Sequence, residues 1–171
     1  MIMETREILR KVQAGELSVE QAEGYFRRQP FEEMGYAKLD THRKVRSGFA
    51  EVIFCSGKAD SHLLEIFGRL YEQDQEVFGT RATKEQFERI REQYPQAVYD
   101  PVSRIIKIEK QEKQKKGKIA VCTAGTADIA VAEEAAQTAE YFGNRVERIY
   151  DVGVSGIHRL LSKVDAIRSA N

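Results

Sequence analysis

The chain has 171 residues, of which 42% are hydrophobic and 32% are charged, enough to bury one core of ordinary size or two small ones. Its 27 basic and 27 acidic side chains cancel, which argues against nucleic acid or an anionic membrane as a partner. We expect a cytoplasmic protein, because no apolar run reaches the ~18 residues of a membrane helix, the N-terminus lacks a secretory signal, and Cys55 and Cys122 form no disulfide or zinc pattern.

Two short helices are predicted at the start of the chain. Ser18 and Gln21 have the spacing of a capping box, which places the start of the second helix, and Pro30 ends it. The apolar stripes that support these helices consist of Ile8, Leu9 and Val12 in the first, and Val19, Ala22 and Phe26 in the second.

A strand, two helices and a hairpin follow. The strand is EVIFC, Glu51 to Cys55, and Thr83 with Gln86 forms a second capping box before the later helix. In AVYDPVSRIIKI, the dipeptide Asp100-Pro101 opens the turn of a hairpin. The helix after the strand has an apolar face of Leu63, Leu64, Phe67, Leu70 and Tyr71. We therefore predict an α+β module over residues 1–110.

Three basic residues of this module are candidate anion contacts. Lys58 follows the strand in Ser-Gly-Lys, but the phosphate-binding loop G-x-x-x-x-G-K-[ST] is absent, so ATP binding there is not expected. Arg43 and Arg46 share helical spacing with Asp40, which favours a surface ion-pair cluster over a substrate role. No metal site is predicted, because His42 and His62 have no second ligand at metal spacing.

A charged linker separates this module from the rest of the chain. Residues 107–118 read KIEKQEKQKKGK, with six lysines against two glutamates. No aromatic residue is interleaved to stack on bases, which favours a solvated linker, over residues 111–117, rather than a nucleic-acid contact.

Residues 118–171 have the order β-α-β-α. KIAVCT is a continuous apolar strand of the kind that is buried on both faces of a parallel sheet, so Cys122 is predicted to be a small core residue. RVERIYDV is the second strand, parallel to the first by the right-handed crossover rule. The two helices present apolar faces made of Ala132, Ala135, Ala136, Ala139 and Phe142 in the first, and Ile157, Leu160, Leu161, Val164 and Ile167 in the second.

Both strand-to-helix turns of such a unit emerge at one edge of the sheet, where ligands of open α/β sheets bind. The turns offer Gly125, Thr126 and Asp128, and Gly153, Ser155, Gly156, His158 and Arg159. Positive charge in the first turn of a helix is disfavoured by the dipole unless an anion is bound, so we predict a phosphate site here. Taken singly, Thr126 or Asp128 as a helix cap and Arg159 as a surface residue are the simpler interpretations; the adjacent turns together favour the ligand.

These residues resemble a known family. TAGTADIAVAEEAAQTAEYFGNRVERIYDVGVSGIHRLL is similar to the aminoimidazole-ribonucleotide carboxylase-like domain of the LarB family, and FEEMGYAKLDTHRKVRSGFAEVIFCSGK resembles the module that precedes that domain. The resemblance implies a flavodoxin-like, three-layer α/β/α domain. A parallel sheet usually carries about four or more strands, so we expect this chain to be truncated, or its sheet to be completed by partner subunits, and favour truncation.

The resemblance implies one step in making the nickel-pincer nucleotide for lactate racemase maturation. The family carboxylates the pyridinium ring of nicotinic acid adenine dinucleotide at C5, with carbon dioxide or bicarbonate as co-substrate, and hydrolyses the phosphoanhydride to release AMP. A divalent ion such as Mg²⁺ is expected for the hydrolysis, and the complete protein is expected to be a homo-oligomer.

The site residues follow from the motifs that match. AGTAD stands where purine carboxylases have G-S-x-S-D, and SGIHR, one residue longer, stands where they have S-A-H-R. Asp128 and Arg159 thus correspond to ribose and phosphate ligands, and the catalytic position falls on His158, a less direct match. The family's cysteine, which adds to the ring, matches neither Cys55 nor Cys122, so this chain alone is expected to be inactive. The alternatives are a purine-type carboxylase or mutase and a non-catalytic nucleotide-binding or assembly module.

Overall fold

The computed structural model describes residues 5–26, 31–40, 43, 47–110 and 113–171. The expected helix end at Pro30, and His42 and Arg46, lie outside these residues. Helices α1 (Thr5–Gln13) and α2 (Val19–Phe26) open the chain. The first capping box is confirmed, because the Ser18 amide donates to Gln21 Oε1 at 2.9 Å and the Gln21 amide donates to Ser18 Oγ at 3.1 Å.

A four-stranded mixed sheet forms the body of the N-terminal unit, by which we mean residues 31–110. After a small antiparallel pair, β1 (Glu32–Glu33) and β2 (Lys38–Leu39), the sheet contains β3 (Val52–Phe54), β4 (Val77–Thr80), β5 (Val98–Asp100) and β6 (Ile105–Ile108). Its order is β3-β4-β6-β5, with β3 parallel to β4 and the other pairs antiparallel. Helix α3 (Asp60–Asp74) connects β3 to β4, and α4 (Lys84–Gln93) follows β4. The predicted hairpin is confirmed as β5–β6.

Strand β4 was not predicted. Its sequence, VFGT, is short and contains Gly79, which normally weakens a strand. In the structure a Cβ on Gly79 would lie 2.8 Å from Cys55 Sγ and 2.9 Å from Ile106 Cγ2. The glycine is therefore required by packing against the neighbouring strands β3 and β6.

The main core lies between this sheet and helices α3 and α4. Phe67 and Ile106 are fully buried, and the second predicted capping box, Thr83 with Gln86, starts α4. Cys55 is also fully buried, and burial raises the pKa of its thiol to about 12. The structural role predicted for Cys55 is confirmed.

The C-terminal unit, residues 113–171, begins with a parallel βαβ unit, as predicted. Strands β7 (Lys116–Cys122) and β8 (Asn144–Ile149) pair in parallel and are connected by α5 (Ile129–Tyr141). Strand β7 begins at Lys116, two residues before the expected start of the domain. The helix expected to carry Ile157 through Ile167 is instead divided into α6 (Ile157–Leu161) and α7 (Val164–Arg168).

Two burial predictions for this unit are wrong. The centre of β7 is only half-buried and Cys122 is exposed, so this cysteine is not a core residue. The face of α6 is also open, with Ile157 50% and Leu161 61% exposed. The reason is that the described sheet has two strands, which α5 covers on one face. The architecture is thus mixed α/β, and the flavodoxin-like three-layer sheet stays a prediction.

Helix α5 packs against both sheets. The rings of Phe78 on β4 and Tyr141 on α5 have centroids 4.3 Å apart. Gln137 on α5 donates from Nε2 to Asp100 Oδ2 at 2.6 Å, and Ala136 is fully buried. The N-terminal unit therefore holds the helix whose N-terminal end carries the predicted nucleotide turn.

Candidate functional site

The two strand-to-helix turns lie side by side. We call residues 123–128, after β7, the first turn and residues 150–159, after β8, the second turn. Buried Thr123 connects them: its amide donates to the Ile149 carbonyl at 3.1 Å, and its carbonyl accepts from the Val152 amide at 2.9 Å. Its Oγ1 accepts from the Asp151 amide at 3.2 Å. These bonds continue the parallel pairing beyond the ends of the strands.

Gly153 permits the contact between the turns. A Cβ at this position would lie 2.6 Å from the carbonyl oxygen of Ala124, closer than Cβ atoms approach non-bonded atoms in real proteins. The turns therefore touch at Ala124 and Gly153, and the predicted juxtaposition of the two turns is present.

The first turn leaves its polar side chains open. A 3₁₀ turn, Thr126–Asp128, leads into α5, and the Asp128 amide donates to the Gly125 carbonyl at 3.3 Å. Thr126 and Asp128 are exposed, and no side-chain capping bond is formed at Gly125 or at Asp128. The interpretation of these residues as helix caps is not what the structure shows, and both side chains face solvent.

In the second turn, Arg159 forms an ion pair with Asp151 of the same turn. Arg159 Nη1 donates to Asp151 Oδ2, and a Cβ on Gly156 would lie 2.8 Å from Arg159 Nε. The guanidinium thus folds back over the turn, while Ser155 and His158 are exposed. The dipole argument for a bound anion fails here, because α6 has five residues and the charge of Arg159 is met by Asp151.

Asp151 and Thr123 were not identified from the sequence. Asp151 adopts φ 57°, a conformation that is uncommon outside glycine, and it lies eight residues before its partner. Only the sharp bend between β8 and the second turn brings the two side chains together. The available signal was an aspartate directly after a strand in YDVG, where ligand-binding residues concentrate.

The remaining predicted anion contacts lie elsewhere. Lys58 is half-buried in the loop after β3, and its carbonyl accepts from Gln86 Nε2 at 3.4 Å. Arg43 lines a groove of about 620 Å³ between the N-terminal unit and α5, which Arg81, Val131 and Phe142 also line. None of the predicted residues of the two turns lines that groove, and Arg46 lies outside the described residues.

An ionic cluster fixes α5 to β8 beside the turns. Arg148 donates from Nε to Glu133 at 2.9 Å and from Nη1 to Glu140 at 2.7 Å, and Tyr150 Oη donates to Glu133 at 2.6 Å. Burial acts to raise the pKa of Glu133, but hydrogen bonds from Tyr150 and Arg148 outweigh it, so the pKa is lowered. Hydrogen bonds from Arg148 lower the pKa of Glu140. Both carboxylates are therefore held charged.

The described part of the chain contains no group of three or more His, Cys, Asp or Glu side chains placed to hold a metal ion. None of the described helices combines the length and the apolar character needed to span a bilayer.

Comparison with known proteins gives two matches. A family model described as the LarB/PurE-like N-terminal domain matches residues 31–111. The uncharacterized protein MJ0165 of Methanocaldococcus jannaschii is 33% identical over 165 residues, which cover 91% of this chain and 64% of that relative. The chain thus spans less than two thirds of the length of the curated relative.

Proposed function

We propose that this chain, whose residues 31–111 match the LarB/PurE-like N-terminal domain, acts as a member of the LarB family and binds nicotinic acid adenine dinucleotide in nickel-pincer nucleotide biosynthesis. The family is of the carboxylase or mutase type. For a protein of the relative's length we propose carboxylation of the pyridinium ring at C5, with carbon dioxide or bicarbonate as co-substrate, and phosphoanhydride hydrolysis that releases AMP.

The observation that carries this proposal is the contact between the two turns. Gly125 lets backbone approach a phosphate closely, and Thr126 offers a hydroxyl donor. The exposed carboxylate of Asp128 accepts from ribose hydroxyls. Arg159 supplies a planar set of donors that matches a phosphate, with Gly153 and Ser155 beside it. Because the turns touch, one sugar-phosphate can contact both.

The chemistry sets a further requirement. A cationic pyridinium is a poor carbon nucleophile, so a group must add to the ring before the ring can attack carbon dioxide. Cys55 is unsuited to this, because its thiol is buried and its pKa is raised to about 12. Cys122 is exposed, but the described residues place no activating hydrogen-bond or ion-pair partner beside it, and we assign it no role. We assign His158, exposed beside Arg159, to proton transfer.

The proposed binding residues lie beside a sheet that has an open face. The open face of the β7–β8 sheet fits coverage by further strands and helices of a flavodoxin-like domain, and homo-oligomers would bring such faces together. The described residues offer no metal-binding cluster, so we derive no step through Mg²⁺.

A purine-type carboxylase is the second candidate, since the matching domain is described as LarB/PurE-like. Calorimetry with nicotinic acid adenine dinucleotide, AMP and aminoimidazole ribonucleotide separates the two. We expect the dinucleotide to bind tightest, and Thr126→Val and Arg159→Ala each to weaken it about tenfold, the loss of one good polar contact. Preference for aminoimidazole ribonucleotide would support the purine-type reaction. Binding of none of the three would leave the assembly module as the explanation.

A further inference from the structure

We propose, on the basis of the function above, that Asp151 is a positioning residue. It holds the guanidinium of Arg159 over the second turn, where the two turns meet, so that the arginine is in place before the phosphate of the nucleotide binds. Neither the fold nor the matching family domain assigns Asp151 this role.

The backbone of Asp151 is fixed by the first turn. Its φ of 57° lies in the left-handed region, which costs free energy for a residue with a side chain and often occurs at functional positions. Its amide is bound by Thr123 Oγ1, and the next amide, of Val152, is bound by the Thr123 carbonyl. Thr123 is itself buried. The backbone that carries the Asp151 carboxylate is therefore bound to the residue that follows β7.

The side chain of Arg159 folds back towards the Asp151 carboxylate. Asp151 Oδ2 accepts from Arg159 Nη1, and a Cβ on Gly156 would lie 2.8 Å from Arg159 Nε. Gly156 thus leaves the space that the folded-back arginine occupies. A guanidinium has five N–H donors in a rigid plane, and this pair uses one nitrogen, so donors remain for a phosphate.

The ion pair is expected to preorganise Arg159 for ligand binding. A free arginine loses rotamer freedom when it binds a ligand, and fixing it in advance removes that cost from binding. An exposed ion pair with a purely structural role contributes little to folding. The arrangement of Thr123, Asp151 and Gly156 around one guanidinium is therefore explained better by ligand contact than by stability.

The test compares variants of Asp151 by calorimetry with nicotinic acid adenine dinucleotide. Asp151→Gly removes the carboxylate without strain, because glycine adopts the left-handed conformation freely, while Asp151→Asn keeps an acceptor for Arg159. We expect Asp151→Gly to weaken binding about tenfold and Asp151→Asn less than about threefold, since the acceptor geometry survives. Asp165→Asn, an exposed acid on α7, is the matched control and should bind as the unchanged protein does.

Two further variants test whether Asp151 acts through the position of Arg159. Gly156→Ala displaces the guanidinium and should also weaken binding, with little loss of stability because a flexible side chain yields. In an Arg159→Ala background, Asp151→Gly should have no additional effect, because the two residues act as one unit. Equal binding by Asp151→Gly and the unchanged protein, or additive losses in the double variant, would overturn the inference while leaving the proposed function standing.

A measurement without ligand separates the inference from the proposed function. The side-chain Nε–H signal of Arg159 in ¹⁵N NMR should be resolved in the unchanged protein and in Asp151→Asn, and exchange-broadened in Asp151→Gly. An Arg159 signal that ignores Asp151→Gly would show that the aspartate does not hold the arginine, whatever the protein binds. Failure of the unchanged protein to bind the dinucleotide or AMP would count against both proposals.

Discussion

The four-stranded sheet and the β7–β8 sheet differ in how many layers cover them. In the N-terminal unit, Phe67 and Ile106 are 0% exposed, because α3 and α4 cover one face of the four-stranded sheet and α5 packs on it through Phe78. In the C-terminal unit the centre of β7 is half-buried and Cys122 is exposed. Both β4 and β7 contain apolar side chains, but all four residues of β4 are buried whereas none of β7 is, so the covering layers decide burial.

This difference separates stability from ligand binding. The N-terminal unit contains most of the large buried side chains, and Tyr141 of α5 is buried against its sheet. The touching turns lie in the open unit, on elements held by α5. In α/β proteins, binding residues commonly lie in loops at an exposed edge of a sheet, on a rigid scaffold. Substitutions in the two units should therefore affect stability and ligand binding differently.

Substitution of a buried aromatic residue should show the difference in burial between the two units most clearly. Phe67→Ala is expected to lower the free energy of unfolding by about 3–5 kcal/mol, through lost burial and a cavity. Leu161→Ala, at a position 61% exposed, should change it by less than about 0.5 kcal/mol. Urea denaturation followed by circular dichroism measures both. Comparable losses at the two positions would contradict the contrast in burial.

The contact between the turns can be broken by one methyl group. Gly153→Ala places a Cβ against the Ala124 carbonyl, and relief of that clash should cost about 2 kcal/mol and abolish dinucleotide binding. Gly24→Ala is the control, because a Cβ there meets no heavy atom within 4 Å and the residue belongs to α2, outside both turns. Denaturation and calorimetry report the two effects. Normal binding by Gly153→Ala would show that the turns need not touch.

The ionic cluster on α5 should make stability depend on pH. The pKa values of Glu133 and Glu140 are lowered in the folded state, so their contribution is present above the unfolded value of about 4.3 and is lost as pH falls through the folded values. Arg148→Gln should cost about 1 kcal/mol at pH 7, and less as pH falls towards 3. Arg145→Gln, at an exposed position, should leave the pH profile of unfolding unchanged; an identical profile in both variants would rule out the cluster as its source.

The smallest effect concerns one hydroxyl group. Tyr141 Oη is buried and has no hydrogen-bond partner among the described residues, and burial raises the pKa of this phenol. Tyr141→Phe should therefore raise the free energy of unfolding by up to about 1 kcal/mol. Tyr150→Phe, which removes a donor to Glu133, should lower it. A destabilised Tyr141→Phe would reveal a partner for that hydroxyl.

Local chemistry in the sequence determined the element starts and the pairing of neighbouring strands. Ser18 with Gln21 and Thr83 with Gln86 form capping boxes because the partners lie three residues apart, and Asp100-Pro101 opens the β5–β6 turn for the same local reason. The parallel pairing of β7 and β8 follows from the handedness of a βαβ crossover. The resemblance to the LarB family was also readable, because the motifs are contiguous, and the LarB/PurE-like N-terminal domain matches residues 31–111.

Tertiary structure alone decided the features that depend on distant neighbours. The close packing of β4 depends on its neighbours, because a Cβ on Gly79 would clash with Cys55 and Ile106, and the exposure of Cys122 depends on which layers cover β7. The pairing of Arg159 with Asp151 needs the bend after β8 and the bond to Thr123. Periodicity and propensity describe a residue within its own element, whereas burial and side-chain pairing arise only when separate elements meet.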